Sequence, residues 1–128
     1  MPDIEVSIIG GGLAGSEAAL QLAQREYRVR LWEMRPERNT EAHRSDRLGE
    51  IVCSNSFKSE RSDTASGALQ FELDTLGCRL LPMAREARVP AGAALALDRE
   101  IFSELVSSAV EADPHIEVIR QEFAELPA

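Results

Sequence analysis

Residues 4–33 read IEVSIIGGGLAGSEAALQLAQREYRVRLWE. A short apolar run, Val6 to Ile9, leads directly into Gly10-Gly11-Gly12-Leu13-Ala14-Gly15, a G-x-G-x-x-G sequence. An alanine-rich helical segment follows, then a second apolar run, Val29 to Trp32, closed by Glu33. Strand, glycines, helix, strand and acid in this order form a dinucleotide-binding unit. Gly10 permits the tight turn out of the strand. Gly12 leaves room for a pyrophosphate to approach the backbone, and Gly15 lets the helix sit close to the sheet. The helix N-terminus presents free N–H groups and a partial positive charge to the phosphates. Ala14, Ala18, Ala19, Leu22 and Ala23 are expected to form the inner face of the helix. Glu33 lies 18 positions after Gly15, near the spacing of about 20 for an acid that receives ribose hydroxyls.

Outward from this unit, 128 residues make about one domain with a real core. No apolar run approaches the roughly 18 residues needed to cross a membrane. The N-terminus has no basic region followed by an apolar signal segment, so the expected compartment is the cytoplasm. Cys53 and Cys78 lack metal-ligand spacing and form no disulfide scaffold, and no metal site is expected. The net charge of −8 argues against a general electrostatic nucleic-acid binder. The charge is uneven: residues 25–61 hold nine of the 14 basic residues against seven acids, which leaves the remainder at −10.

Beyond Glu33, Pro36 disfavours helix, and the polar segment Glu37 to Glu50 reads as a loop, with His43 at the surface. The apolar run Leu48 to Cys53 then breaks into Ser54-Asn55-Ser56. Cys53 is either an inert, half-buried thiol or a nucleophile. Ser62 or Asp63 can cap a helix from Thr64 to Leu76, ended by Gly77. Its stripe is Ala65, Ala68, Leu69, Leu73 and Leu76. A weaker helix covers Leu80 to Arg88, with Cys78 packing at the junction. Val89 to Leu97 suits a short strand or extended segment. Asp98 caps the clearest helical pattern, Ile101, Phe102, Leu105, Val106, Ala109 and Val110, which Asp113-Pro114 ends. Ile116 to Ile119 is a third parallel strand, expected beside the strand ending in Glu33. The fold class is therefore α/β and Rossmann-like. Residues 34–97 form a loop and helical insertion between the second and third parallel strands. Three strands are only the first half of a doubly wound fold, so the chain is expected to be truncated or completed by a partner.

The segments GGGLAGSEAALQLA, VRLWEMRP, EIVCSNSFKS and RVPAGAALALDREIFSELV resemble, in the same order, the bacterial folate- and FAD-dependent tRNA uracil-5-methyltransferases (the methylenetetrahydrofolate–tRNA-(uracil-5-)-methyltransferase, TrmFO, family). Members are several times longer, so residues 1–128 look like the N-terminal part of their FAD-binding domain. The resemblance implies a fold of the glutathione-reductase type for FAD and NAD(P). Gly10, Gly11, Gly12, Leu13, Ala14 and Gly15 would hold the FAD pyrophosphate and Glu33 the adenosine ribose, with Arg35 of the EMRP segment in the same cofactor-binding set. It also implies transfer of a one-carbon unit from methylenetetrahydrofolate to C5 of a T-loop uridine in tRNA. The unit is reduced to methyl, with NAD(P)H as the source of reducing power. Cys53 is then the candidate catalytic residue, either adding to uracil or shaping the flavin site. The cluster Arg35, Arg38, Arg44, Arg47, Lys58 and Arg61 could contribute to tRNA binding. The alternatives are a related flavoenzyme acting on the tRNA wobble uridine or on ribosomal RNA, and a non-catalytic dinucleotide-binding fragment.

Overall fold

The computed structural model describes residues 4–125. The elements run β1 (Glu5–Ile9), α1 (Leu13–Ala23), β2 (Arg28–Trp32), β3 (Ser56–Ser59), α2 (Ala65–Thr75), α3 (Leu80–Glu86), β4 (Arg88–Val89), β5 (Ala94–Leu97), α4 (Arg99–Ala112) and β6 (Ile116–Ile119). β1, β2 and β6 form a parallel sheet in the order β1-β2-β6, as expected from the apolar runs. Val6 pairs with Val29, and Val29 with Ile116.

β2 alternates: Val29 and Leu31 are buried, and Arg28 and Arg30 are exposed. Period two along a strand puts one face on a core and the other in solvent. The buried face is covered by α1 and α4, which also pack against each other. The opposite face is polar, with Arg30 ion-paired to Glu5 at 3.0 Å and Glu117 at 3.3 Å. Parallel sheets normally have both faces covered; here one face and the outer edge of β1 lie open among the described residues.

α4 forms as its sequence predicts, except that Ile101 of the apolar pattern is exposed. The Asp98 carboxylate accepts from the N–H groups of Glu100 and Ile101, both at 3.0 Å, and Phe102, Val106 and Val110 are buried at i, i+4 and i+8. Burying each such side chain contributes roughly 1.5–3 kcal/mol. Phe102 also meets Phe57 of β3 edge to face at 5.7 Å. One continuous core joins α1, β2, α3, β5 and α4 with Leu48 and Ile51 of the long loop.

Four expectations need correction. Residues 34–97 are more than loop and helix, because β3, β5 and β4 form a second, antiparallel sheet. The α2 cap is Thr64, whose hydroxyl accepts from the Gly67 N–H at 3.1 Å, instead of Ser62 or Asp63. Of the apolar stripe of α2 only Leu73 packs on the core: Ala65, Ala68, Leu69 and Leu76 are exposed, and Gly67 and Gln70 face inward instead. Gly67 is needed there because a Cβ would strike the Arg61 backbone. In α1 the inner face is Ser16, Ala19, Leu20 and Ala23; Ala14 is exposed.

Candidate functional site

The parallel strands end where the glycine loop begins. Gly10 adopts φ +101°, a conformation suited to glycine, and its N–H donates to the Trp32 carbonyl at 2.8 Å. A Cβ on Gly15 would collide with the Gly10 carbonyl, so the helix start and the strand end are in direct backbone contact. At Gly12 a Cβ would meet nothing within 4 Å. The two glycines thus differ: Gly15 is required by the chain's own packing, while Gly12 faces open space.

Gly12 is also the N-cap of α1, and no side chain caps it. The first turn of a helix has N–H groups without intrahelical acceptors. In α2 and α4 a side chain, Thr64 or Asp98, accepts from them. In α1 no side chain among the described residues caps them. An uncapped helix start with unobstructed backbone fits a phosphate group. The adjoining cleft, about 350 Å³, is lined by Ile9, Gly10 to Gly12, Trp32, Glu33, Arg35, His43 and Phe123, among others. Trp32 Nε1 is buried with no partner among the described residues, and the Trp32 ring packs against Phe123 at 5.0 Å. A helix start without a side-chain cap beside an aromatic-walled cleft suits a dinucleotide.

Glu33 is 4% exposed and accepts four hydrogen bonds. They come from Gly11 N–H at 2.9 Å, Arg35 N–H at 3.0 Å, Arg35 Nε at 2.8 Å and Arg35 Nη2 at 3.2 Å. A carboxylate offers about four such positions, so the set is complete. Burial alone would raise the carboxyl pKa. The hydrogen bonds from Arg35 and Gly11 outweigh it and lower the value to about 2. Arg35 is 1% exposed and reaches onward to Glu50 and the Ser45 carbonyl, both at 3.0 Å. The loop 45–50 is therefore tied to the glycine loop twice, through this network and through Gly49 N–H donating to the Gly11 carbonyl at 2.8 Å. A Cβ on Gly11 would press into Leu48 and Glu33.

Cys53 lies in the irregular stretch before β3. Its thiol is exposed, not half-buried, and has no hydrogen-bond partner among the described residues. Cys78 packs at the α2–α3 junction as expected. Its thiol donates to Glu17 at 3.4 Å, and burial, with the neighbouring Glu17 carboxylate, pushes its pKa up. Glu17 itself holds the start of α3, accepting from the N–H groups of Arg79 and Leu80 at 2.9 Å. Two features of the cleft escaped the sequence reading. His43, expected at the surface, is half-buried in the cleft wall with Nδ1 2.6 Å from the Thr40 hydroxyl. Residues 121–123 close the far side; a motif-based reading carries no signal for either.

No group of histidines, cysteines and carboxylates among the described residues could hold a metal ion. No helix among them is long and apolar enough to cross a membrane.

The family model "Glucose inhibited division protein A" matches residues 5–128. The chain is 57% identical over 96% of its length to the methylenetetrahydrofolate–tRNA-(uracil-5-)-methyltransferase TrmFO of Syntrophomonas wolfei. It is 48% identical to the protein of the same name from Aquifex aeolicus, again over 96% of its length. In both cases it spans 28% of the relative's length. Among solved structures, Aquifex aeolicus GidA superposes with a TM-score of 0.69 over 91% of this chain and 19% of that one, at 19% identity. That likeness establishes the Rossmann-like fold that the strand order displays. Taken with the glycine loop and its register, these matches place the chain in the glucose inhibited division protein A family.

Proposed function

We propose that the chain is the dinucleotide-binding part of an FAD- and folate-dependent tRNA uracil-5-methyltransferase. The observation that carries this is the uncapped start of α1 over the open backbone at Gly12, together with 57% identity to a protein of that name. The loop Gly10 to Gly15 holds the FAD pyrophosphate on the backbone N–H groups at the start of α1, from Gly12 onward, while the Gly10 and Gly11 N–H groups, bonded to Trp32 and Glu33, fix the loop's shape. Glu33 fixes the loop through Gly11 and borders the space for the adenosine. A ribose hydroxyl that reaches Glu33 takes the place of one Arg35 donor, and Arg35 keeps Glu50 and the Ser45 carbonyl. Trp32 and Phe123 wall the cleft.

FAD, when bound and reduced by NAD(P)H, supplies the reducing equivalents that turn the transferred one-carbon unit of methylenetetrahydrofolate into methyl. The chain's own contribution to the reaction is Cys53. Its exposed thiol, as thiolate, adds at C6 of uracil and makes C5 nucleophilic. C5 bonds the one-carbon unit, and loss of the C5 proton breaks that carbon's bond to its folate nitrogen to leave an exocyclic methylene. Hydride addition there gives methyl and expels the thiolate from C6. With tRNA as substrate, the working compartment is the cytoplasm.

A chimera tests the whole reading. Residues 5–128 replace the matched segment of the Syntrophomonas wolfei relative, and transfer of label from methylenetetrahydrofolate to a tRNA transcript is measured. 5-Methyluridine in the T-loop is expected. A folded, flavin-loaded chimera that labels only ribosomal RNA or a wobble uridine, or labels nothing, refutes the assignment.

A further inference from the structure

Of the basic residues between Arg35 and Arg61, three guanidiniums are already engaged. Arg35 is ion-paired to Glu33 and Glu50, Arg38 to Glu122, and Arg61 to Asp63. Arg44 and Arg47 are not, and they meet a third free guanidinium from a distant part of the chain. Arg44, Arg47 and Arg99 line one cavity of about 230 Å³, with Ser45, Ile51 and Ser103 in its wall. None of the three side chains makes an ion pair or hydrogen bond among the described residues. Two carboxylates also line the cavity. Glu50 shares Arg35 with Glu33 and is hydrogen-bonded to Ser45 and the Arg44 N–H. The lining thus sets three guanidiniums against two carboxylates, Glu100 and a Glu50 that already shares Arg35, and keeps an excess of positive charge.

Three guanidiniums without an ion pair among the described residues share one concavity in a chain of net charge −8; they repel one another, and an anion from outside relieves that repulsion. The concavity is built. Its loop is clamped by Leu48 N–H donating to Ser107 Oγ at 2.9 Å, by Gly49 to Gly11, and by Arg35 to Ser45 and Glu50. It stands on the same end of the parallel sheet as the glycine loop. Ile51 in its wall is two residues from the exposed Cys53.

We infer that Arg44, Arg47 and Arg99 form a phosphodiester-binding site that holds the tRNA backbone beside the Cys53 loop. The inference rests on the functional reading above and adds to it the residues that grip the RNA. Guanidinium forks match phosphate oxygens, and three separate side chains around one cavity suit a backbone that presents several phosphates. The cofactor's phosphates are already served by the start of α1.

The test compares wild type with Arg44→Gln/Arg47→Gln/Arg99→Gln, and with Arg28→Gln as a control at an exposed arginine on β2. Dissociation constants for a tRNA transcript are measured from ~50 to ~200 mM salt, and FAD binding is measured alongside. Each lost phosphate contact lowers the log–log salt slope by roughly 0.7–0.9. The triple variant should therefore lose about 2 to 3 from the slope, with at least a tenfold weaker complex at low salt and unchanged FAD binding. Arg28→Gln should lose less than half of one contact. An unchanged slope overturns the inference while leaving the methyltransferase reading intact. So does an equal loss for Arg28→Gln, which would mean diffuse attraction only, or a loss of FAD binding, which would assign the site to the cofactor. A wild type that binds FAD and no tRNA also overturns it; one that binds neither removes the functional reading as well.

Discussion

Glu33→Gln should change the pH dependence of stability in a calculable way. The carboxyl lies at about 2 against an ordinary 4.5. A depressed carboxyl contributes stability that is fully present above its unfolded value and fades as pH falls toward the folded one. At about 1.4 kcal/mol per pH unit, that contribution is about 3 kcal/mol at pH 7, still near that at pH 5, and about 1.5 kcal/mol at pH 3. Gln keeps the shape but not the charge and leaves buried Arg35 with Glu50 as its one remaining carboxylate. Urea unfolding of both proteins at pH 7, 5 and 3 checks this. The wild type should lead by about 3 kcal/mol at neutral pH, and the gap should shrink by about half between pH 5 and 3. A gap that stays constant across this range would show that the Glu33 charge contributes nothing and that the loss is packing alone.

Two glycine variants should separate folding from binding. Gly12→Ala places its Cβ in open space and should shift unfolding by less than about 1 kcal/mol while weakening FAD. Gly15→Ala meets the Gly10 carbonyl and should cost more than about 3 kcal/mol, read by thermal unfolding. For Cys53, the parent chimera should form a covalent adduct with tRNA carrying 5-fluorouridine, because fluorine cannot leave C5 as a proton. Cys53→Ala should keep flavin and tRNA yet lose both adduct and methylation; full activity in that variant would exclude Cys53 as the nucleophile.

The parallel sheet was legible because its signals are local. Val6 to Ile9 and Val29 to Leu31 are apolar runs bounded by glycines and an acid, and Asp98 with Phe102, Val106 and Val110 writes a capped, one-faced helix directly into the sequence. The second sheet was not. Ser56–Ser59 has no alternation or strand composition, and it becomes β3 by pairing with β5, some forty residues away. The α2 stripe misled for a related reason. Leu69 and Leu76 have helical spacing, but the face that turns inward carries Gly67, which tolerates the Arg61 backbone, and Gln70, which donates to the Phe57 carbonyl at 2.9 Å. At the site, the residue types and the roles of Gly10 and Gly15 were readable. The four donors on Glu33 and the separation of paired from free arginines depend on tertiary contacts that spacing does not record.

The central claim is that the bare start of α1 holds the FAD pyrophosphate. Titrating apo-protein with FAD, for wild type and Gly12→Val, tests it most directly. Saturable binding by the wild type, abolished in a Gly12→Val chain that unfolds at the wild-type temperature, is the predicted result. Equal flavin occupancy in both proteins would contradict it.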